Sequence, residues 1–94
     1  MRLHPAELSA IRSTLGALDP LGRIYLYGSR TDDAKRGGDI DLFLDASRHL
    51  DMKTVLTTQY RLSSACDTKV DLLIKAPDEA DMPIHQIARQ GIQL

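Results

Sequence analysis

Two stretches of this sequence decide its fold: residues 24–30 read IYLYGSR, and residues 37–44 read GGDIDLFL. The first begins with a continuous apolar run, which predicts a strand buried on both faces. The second alternates, so that one face carries two aspartates and a phenylalanine and the other carries aliphatic side chains: Asp39, Asp41 and Phe43 against Ile40, Leu42 and Leu44. The polar residues 31–38 join the two runs as a hairpin-like connection.

The rest of the chain predicts three helices and one more strand. The six elements are a helix over 4–18, strands over 23–27 and 39–45, a helix over 50–65, a strand over 69–75 and a helix over 82–90. The order α-β-β-α-β-α predicts an α+β fold, in which the helices pack on one face of a small mixed β-sheet. No repeat, low-complexity segment or linker interrupts the chain, so we expect a single domain over residues 1–94.

The composition excludes several classes of function. With 94 residues, 43% hydrophobic and 27% charged, the chain has the composition of an ordinary globular domain. Its formal charge of −1 and its few aromatic residues argue against direct nucleic-acid binding. No apolar run approaches the length of a membrane span and no leader precedes the domain, so no membrane association is expected. The single cysteine, Cys66, fits a reducing compartment, so we expect a cytoplasmic protein.

Asp39 and Asp41 are spaced as metal ligands are. Residues two apart on a strand point to the same side, with Cα atoms roughly 6.6 Å apart. Two carboxylates about 5 Å apart repel by roughly 3 kcal/mol at an effective dielectric of 20. A divalent cation reverses that repulsion, and hard oxygen ligands suit Mg²⁺ or Mn²⁺. Alternatively, the two aspartates are solvent-exposed residues at the start of a strand.

Asp71 is the third acidic residue of interest, because it interrupts the otherwise apolar strand VDLLI at residues 70–74. A carboxylate inside such a strand is costly unless something compensates it. Period two places it opposite the aliphatic face, as it does Asp39 and Asp41. If both aliphatic faces lie under the helices, the three carboxylates converge, as in a two-metal site. The alternative is an edge-strand acid that pairs with Lys69 or an arginine.

The turn Gly28-Ser29-Arg30 has the residue types of a phosphate-binding loop. Glycine lets the backbone approach a ligand, serine adds a hydroxyl donor, and arginine adds a donor fork for phosphate. Lys35 and Arg36 in the following connection either meet the same phosphates or form a solvated tip.

Taken together, Gly28-Ser29, Asp39, Asp41 and Asp71 closely resemble the motif of the minimal nucleotidyltransferase (MNT) domains of the DNA polymerase β-like superfamily. The resemblance covers nearly the whole chain, and it implies the nucleotidyltransferase fold. It assigns phosphate binding to Gly28 and Ser29 and metal binding to Asp39 and Asp41. It makes Asp71 a further metal ligand and the candidate base, with Mg²⁺ or Mn²⁺ as cofactor and ATP as co-substrate.

The resemblance also implies a reaction and a partner. The reaction is attack of an acceptor hydroxyl on the α-phosphorus of a nucleoside triphosphate. Stand-alone MNT domains pair with a small helical protein of the HEPN class, so the resemblance implies an antitoxin that transfers AMP to a tyrosine of a HEPN toxin. Two alternatives stay open: a nucleotide- and metal-binding subunit that neutralises its partner by contact alone, and transfer to a small molecule.

Overall fold

The computed structural model describes residues 1–35 and 37–94, and its elements follow the predicted order. The helices are α1 (Pro5–Leu18), α2 (Met52–Cys66) and α3 (Pro83–Arg89), and the strands are β1 (Arg23–Tyr27), β2 (Ile40–Asp45), β3 (Val70–Lys75) and β4 (Ile92–Gln93). A short 3₁₀ turn, Gly28–Thr31, follows β1. Each predicted helix and strand is confirmed to within two residues at either end.

The four strands form one mixed sheet in the order β3-β2-β1-β4. β1 is antiparallel to β2 and to β4, whereas β2 and β3 run parallel. This confirms the predicted α+β class with a mixed sheet. The sequence did not predict β4, because two residues are too few to show a period. It pairs with Tyr25 and Leu26 and gives β1 a neighbour on each side.

The larger core lies between the sheet and the helices α1 and α2. Its sheet side consists of the aliphatic face that the alternation predicted, and its helix side comes from one stripe of each helix. The buried members are Ile11, Leu15, Leu62 and Cys66 from the helices and Leu26, Ile40, Leu42, Leu44, Val70 and Leu72 from the strands. Because this face is apolar, Asp41 and Asp71 must point to the opposite side of the sheet.

The prediction that the helices pack on one face of the sheet is wrong for α3. This helix lies on the opposite face, where Ala88 packs with Tyr25 and Phe43 in a second, smaller core. The buried His85 ring stacks on Phe43 with ring centroids 5.5 Å apart. The physical reason is that Tyr25 and Phe43 make part of the second face apolar, and that part needs a cover. α3 covers it and leaves the aspartate end of the same face open.

In the part of the chain that the structure describes, no helix combines the length and the apolar content that crossing a membrane requires.

Candidate functional site

A row of three side chains crosses the sheet at its open end. Tyr27 of β1 is paired with Asp41 of β2, and Asp41 is paired with Asp71 of β3. Directly paired residues project to the same face, so the three side chains lie side by side. Asp39 lies one residue before β2. The structure therefore brings together the three aspartates that the sequence predicted to converge, and it adds Tyr27 to them.

The pKa values of two side chains in this row, Asp41 and Tyr27, are affected by the neighbouring carboxylates. The pKa of the Asp41 carboxyl is raised, first by its partial burial and then by the negative charges of Asp71 and Asp39. The pKa of the Tyr27 hydroxyl is also raised, by burial first and then by Asp41 and Asp71. Both groups resist becoming negatively charged, because they are partly buried and because carboxylates lie nearby. The open end of the sheet is consequently a place that favours a cation.

Within the described residues, Lys69 is a cation that lies at this cluster. Its ammonium Nζ lies 3.9 Å from Asp39 Oδ2 and 3.8 Å from Asp71 Oδ1. The lysine side chain is 68% exposed, so these ion pairs are loose and well screened by solvent. One ammonium also cannot balance three carboxylates. The sequence had offered Lys69 as a partner for Asp71, and the structure shows that it serves Asp39 as well.

The donor set fits a hard divalent cation, because it consists of carboxylate oxygens. Within residues 1–35 and 37–94, however, no three acidic, histidine or cysteine side chains are already spaced as the ligands of one ion. Two of the three aspartates, Asp39 and Asp71, are half-exposed, and their carboxylates lie near the ammonium of Lys69. A metal at this site would compete with Lys69 for the carboxylates of Asp39 and Asp71.

Gly28 places the phosphate-type turn directly against Asp41. Its φ is +76°, a backbone conformation that side chains disfavour. A Cβ atom at this position would overlap the Oδ2 atom of Asp41. Glycine is therefore required at position 28 for two independent reasons, and the turn and the carboxylate row form one site.

Ser29 lies close to Gly38, to which the sequence assigned no role. Gly38 has a φ of +89°, and a Cβ atom there would lie 2.6 Å from Ser29 Oγ. The serine hydroxyl thus fits against the bare backbone of the residue that precedes Asp39. The pair Gly37-Gly38 just before the first aspartate was the signal in the sequence for such a close approach.

The Arg30 side chain contacts the connection before β2 and the N-terminal part of the chain. Its Nε donates to the Gly38 carbonyl at 3.1 Å, its Nη1 donates to the Arg2 carbonyl at 2.8 Å, and Nη1 also lies 3.5 Å from Glu7 Oε1. The Arg30 side chain is only 12% exposed. Contact with a triphosphate would cost it some of these bonds, so nucleotide binding by Arg30 stays a prediction, while the structure shows that it braces the loop.

The connection between β1 and β2 contains two further basic residues, Lys35 and Arg36. Lys35 is exposed. Arg36 lies outside the residues that the structure describes, so its predicted contact with phosphate stays a prediction.

Comparison with known proteins agrees with this geometry. The family model described as "Polymerase beta, Nucleotidyltransferase" matches residues 10–94. The match includes the Gly28-Ser29 turn, all three aspartates and every strand, and it leaves residues 1–9 outside. No curated protein matches the chain.

Proposed function

This chain belongs to the polymerase beta nucleotidyltransferase family, and from that premise we propose that it transfers AMP from ATP to an acceptor hydroxyl. The observation that carries the proposal is the contact between two motifs. The turn at Gly28 packs against Asp41, and Asp41 is in register with Asp71 on the neighbouring strand. A phosphate-binding turn and a pair of carboxylates in contact are what phosphoryl chemistry needs, since such catalysis depends mainly on positioning and charge.

Each residue of the site has a distinct task in this proposal. Gly28 and Ser29 hold the triphosphate, and Gly38, which has no side chain, leaves room for the serine hydroxyl. Asp39, Asp41 and Asp71 would hold Mg²⁺ or Mn²⁺, which when bound neutralises phosphate charge and lowers the pKa of the acceptor hydroxyl.

The transfer itself exchanges one phosphorus–oxygen bond for another. The acceptor oxygen bonds to the α-phosphorus while the bond from that phosphorus to the bridging oxygen breaks, and pyrophosphate leaves. In this proposal Asp71 takes the acceptor proton, and its position on the edge strand β3 and its half-exposed side chain support this role. Asp41 lies on the central strand β2, between β1 and β3.

We further propose that the acceptor is a tyrosine of a helical HEPN-type partner, as in the MNT antitoxins. An exposed apolar row on α2 supports a protein partner: Met52, Leu56 and Tyr60 follow one another at helical spacing. The exposed cations Lys53 and Arg61 stand beside this row, so it fits an apolar helix face bordered by acidic residues. On α1, by contrast, Ile11 and Leu15 belong to the core and are not available to a partner.

The test mixes the purified chain with its partner, Mg²⁺ and ATP labelled at the α-phosphate. We expect label on a tyrosine of the partner, no transfer by Asp41→Asn, and full transfer by the matched variant Asp78→Asn. Asp78 is an exposed acid that pairs with His49 at 2.9 Å and lies outside the carboxylate row. The proposal would be overturned if neither protein transferred label and Asp41→Asn still neutralised the partner as well as the wild type does. Neutralisation would then result from contact alone.

A further inference from the structure

The segment before the family-matched region is attached to the candidate phosphate-binding turn. We propose that this segment clamps the turn and that Arg2 is a positioning residue for the triphosphate. The inference rests on the proposed function for its ligand, but the clamp itself is a set of contacts in this chain. Residues 1–9 lie outside the match to the family model, so the clamp is not part of what that match describes.

Arg2 makes three hydrogen bonds to the turn and receives one from it. Its Nε donates to the Asp32 carbonyl at 2.8 Å and its Nη2 donates to the Ser29 carbonyl at 3.0 Å. Its backbone N–H donates to the Arg30 carbonyl at 2.8 Å, and its own carbonyl accepts from Arg30 Nη1 at 2.8 Å. A guanidinium can bridge two carbonyls at once because its donors are fixed in a planar fork.

The consequence for ligand binding lies in the direction of the carbonyl oxygens. A turn that binds phosphate must not present carbonyl oxygens to the anion, because they would repel it. The carbonyl of Gly28 accepts from the Thr31 hydroxyl at 2.7 Å, and those of Ser29 and Arg30 accept from Arg2. The clamp therefore holds two of these three oxygens against the N-terminal segment and away from the ligand side.

A second attachment joins the same turn to helix α1. Glu7, a buried residue of the first helical turn, accepts from the His4 backbone N–H at 2.8 Å and faces the Arg30 guanidinium at 3.5 Å. This pair fixes where the N-terminal segment enters α1, next to the turn. Because the segment is fixed at Glu7, Arg2 reaches the turn at little further entropic cost.

The loop needs such support for a physical reason. It is a single 3₁₀ turn whose first residue, Gly28, has a positive φ, and two more glycines with positive φ, Gly37 and Gly38, lie in the connection. Glycines lose the most conformational freedom on ordering, so an unclamped loop would pay that cost when the nucleotide binds. With the clamp, the turn is ordered before the ligand arrives.

The test compares Arg2→Met, Arg2→Lys and the matched control Arg12→Met, which removes an exposed arginine from α1. Titration of each full-length variant with ATP and Mg²⁺ gives the dissociation constant. We expect about a 10-fold weaker affinity for Arg2→Met, equivalent to the loss of one or two hydrogen bonds to carbonyls. We expect wild-type affinity and an unchanged melting temperature for Arg12→Met.

The lysine variant separates a clamp from a simple charge effect. Lysine keeps the positive charge but lacks the planar fork that holds the donors of arginine in fixed directions, so the clamp predicts an affinity for Arg2→Lys close to that of Arg2→Met. Wild-type affinity for Arg2→Lys would overturn the clamp in favour of charge attraction. In turnover assays, loss of the clamp in the Arg2 variants should raise KM for ATP more than it lowers kcat, and effects of equal size on both constants would contradict the clamp.

Hydrogen exchange provides a readout that does not depend on nucleotide binding. The amides of residues 28–32 should exchange faster in both Arg2 variants than in Arg12→Met, while the amides of β2 and β3 stay unchanged. Equal exchange in all three variants overturns the clamp. A different outcome separates the two proposals. If the wild-type protein binds no ATP but the Arg2 variants still exchange faster, the clamp is sustained and the proposed function is rejected.

Discussion

The carboxylate of Asp41 occupies the space where a side chain on residue 28 would begin, so the conformation of the turn at Gly28 and the position of Asp41 depend on each other. The turn depends on the strand next to it, and the strand carboxylate is partly buried by the turn. This contact explains why two common motifs act as one site here. It also allows the site to be perturbed from the turn side without changing any charge.

Gly28→Ala should disturb both halves of the site at once. The added Cβ atom overlaps Asp41 Oδ2, and the positive φ of residue 28 adds strain on the order of 1–2 kcal/mol. We expect a lower melting temperature together with loss of ATP binding, measured by thermal denaturation and calorimetric titration.

The matched control for this variant is Gly16→Ala. Gly16 lies inside α1, and apart from its chain neighbours and the adjacent backbone of the helix, no atom lies within 4 Å of the position of an added Cβ atom. Alanine there should stabilise the helix by about 0.5–1 kcal/mol and leave ATP binding intact. If Gly28→Ala behaved like Gly16→Ala, the contact with Asp41 would not constrain the site.

Asp41→Asn should make the metal-free protein more stable while it abolishes transfer. The pKa of Asp41 is raised by burial and by its acidic neighbours, so the folded protein holds this proton more tightly than the unfolded chain does. This tighter proton binding stabilises the folded protein fully at pH values below about 3.9, the pKa of an aspartate in the unfolded chain. The stabilisation is lost as the pH rises through the higher pKa of Asp41 in the folded protein. Asparagine removes that loss, so the variant should melt higher than the wild type at pH 7.

The measurement is a pair of melting curves in a chelator, one at neutral pH and one near pH 3. The stabilisation should be present at neutral pH and absent in acid, where Asp41 is protonated in both states. Transfer should fall by at least about 100-fold, since even outer residues of metal sites cost up to that factor. A variant that is less stable at pH 7 and fully active would contradict both parts.

The strands show how much of this molecule the sequence predicts. Period two on β2 and β3 was enough to place Asp41 and Asp71 on one face, because a strand has only two sides. The position of α3 was not predictable in the same way. Its place depends on how much apolar surface Tyr25 and Phe43 leave uncovered, and that quantity appears only once the strands are paired.

The contacts of Arg2 were also beyond sequence reasoning, for a different reason. Its guanidinium donates to the backbone carbonyls of Ser29 and Asp32. Every residue has a carbonyl, so no residue type marks such a partner in the sequence. Side chains that function together, such as Asp39 and Asp41, form a recognisable pattern in the sequence. A side chain that donates hydrogen bonds to backbone carbonyls has no such pattern.

Lys69→Met should tighten divalent metal binding. Lys69 lies near Asp39 and Asp71, so its ammonium competes with a metal for the same oxygens. Each exposed ion pair is worth up to about 1 kcal/mol, which corresponds to an affinity gain of roughly 3–10-fold. Titration of the nucleotide-free protein with Mn²⁺, followed by electron paramagnetic resonance, measures this directly.

Lys53→Met is the control for the change of net charge. Lys53 is an exposed lysine on α2, outside the contacts of Lys69 with the aspartates. It should leave the Mn²⁺ affinity unchanged at physiological ionic strength, because charges beyond the Debye length of about 8 Å are largely screened. Equal affinities for the Lys69 and Lys53 variants would show that the ammonium does not compete for the carboxylates.

Asp19→Asn should destabilise the fold without touching the site. Asp19 is buried at the end of α1, where its carboxylate accepts from the Ser47 backbone N–H at 2.7 Å and from the Ser47 hydroxyl. Burial acts to raise its pKa, but the bonds from Ser47 and from the Leu21 backbone lower it overall. Asparagine cannot accept both bonds as a carboxylate does, so we expect a loss of about 1–3 kcal/mol at pH 7.

The pH dependence of this loss identifies its cause. A lowered pKa contributes stability that is present above the unfolded value and disappears as pH falls through the folded value. The difference in unfolding free energy between wild type and Asp19→Asn should therefore shrink below about pH 4. Ser47→Ala should reproduce much of the loss, and the double variant should cost less than the sum of the two single changes, because both remove the same contact. A difference that persists undiminished in acid would mean that packing around residue 19, and not its charge, holds the end of α1 against the segment after β2.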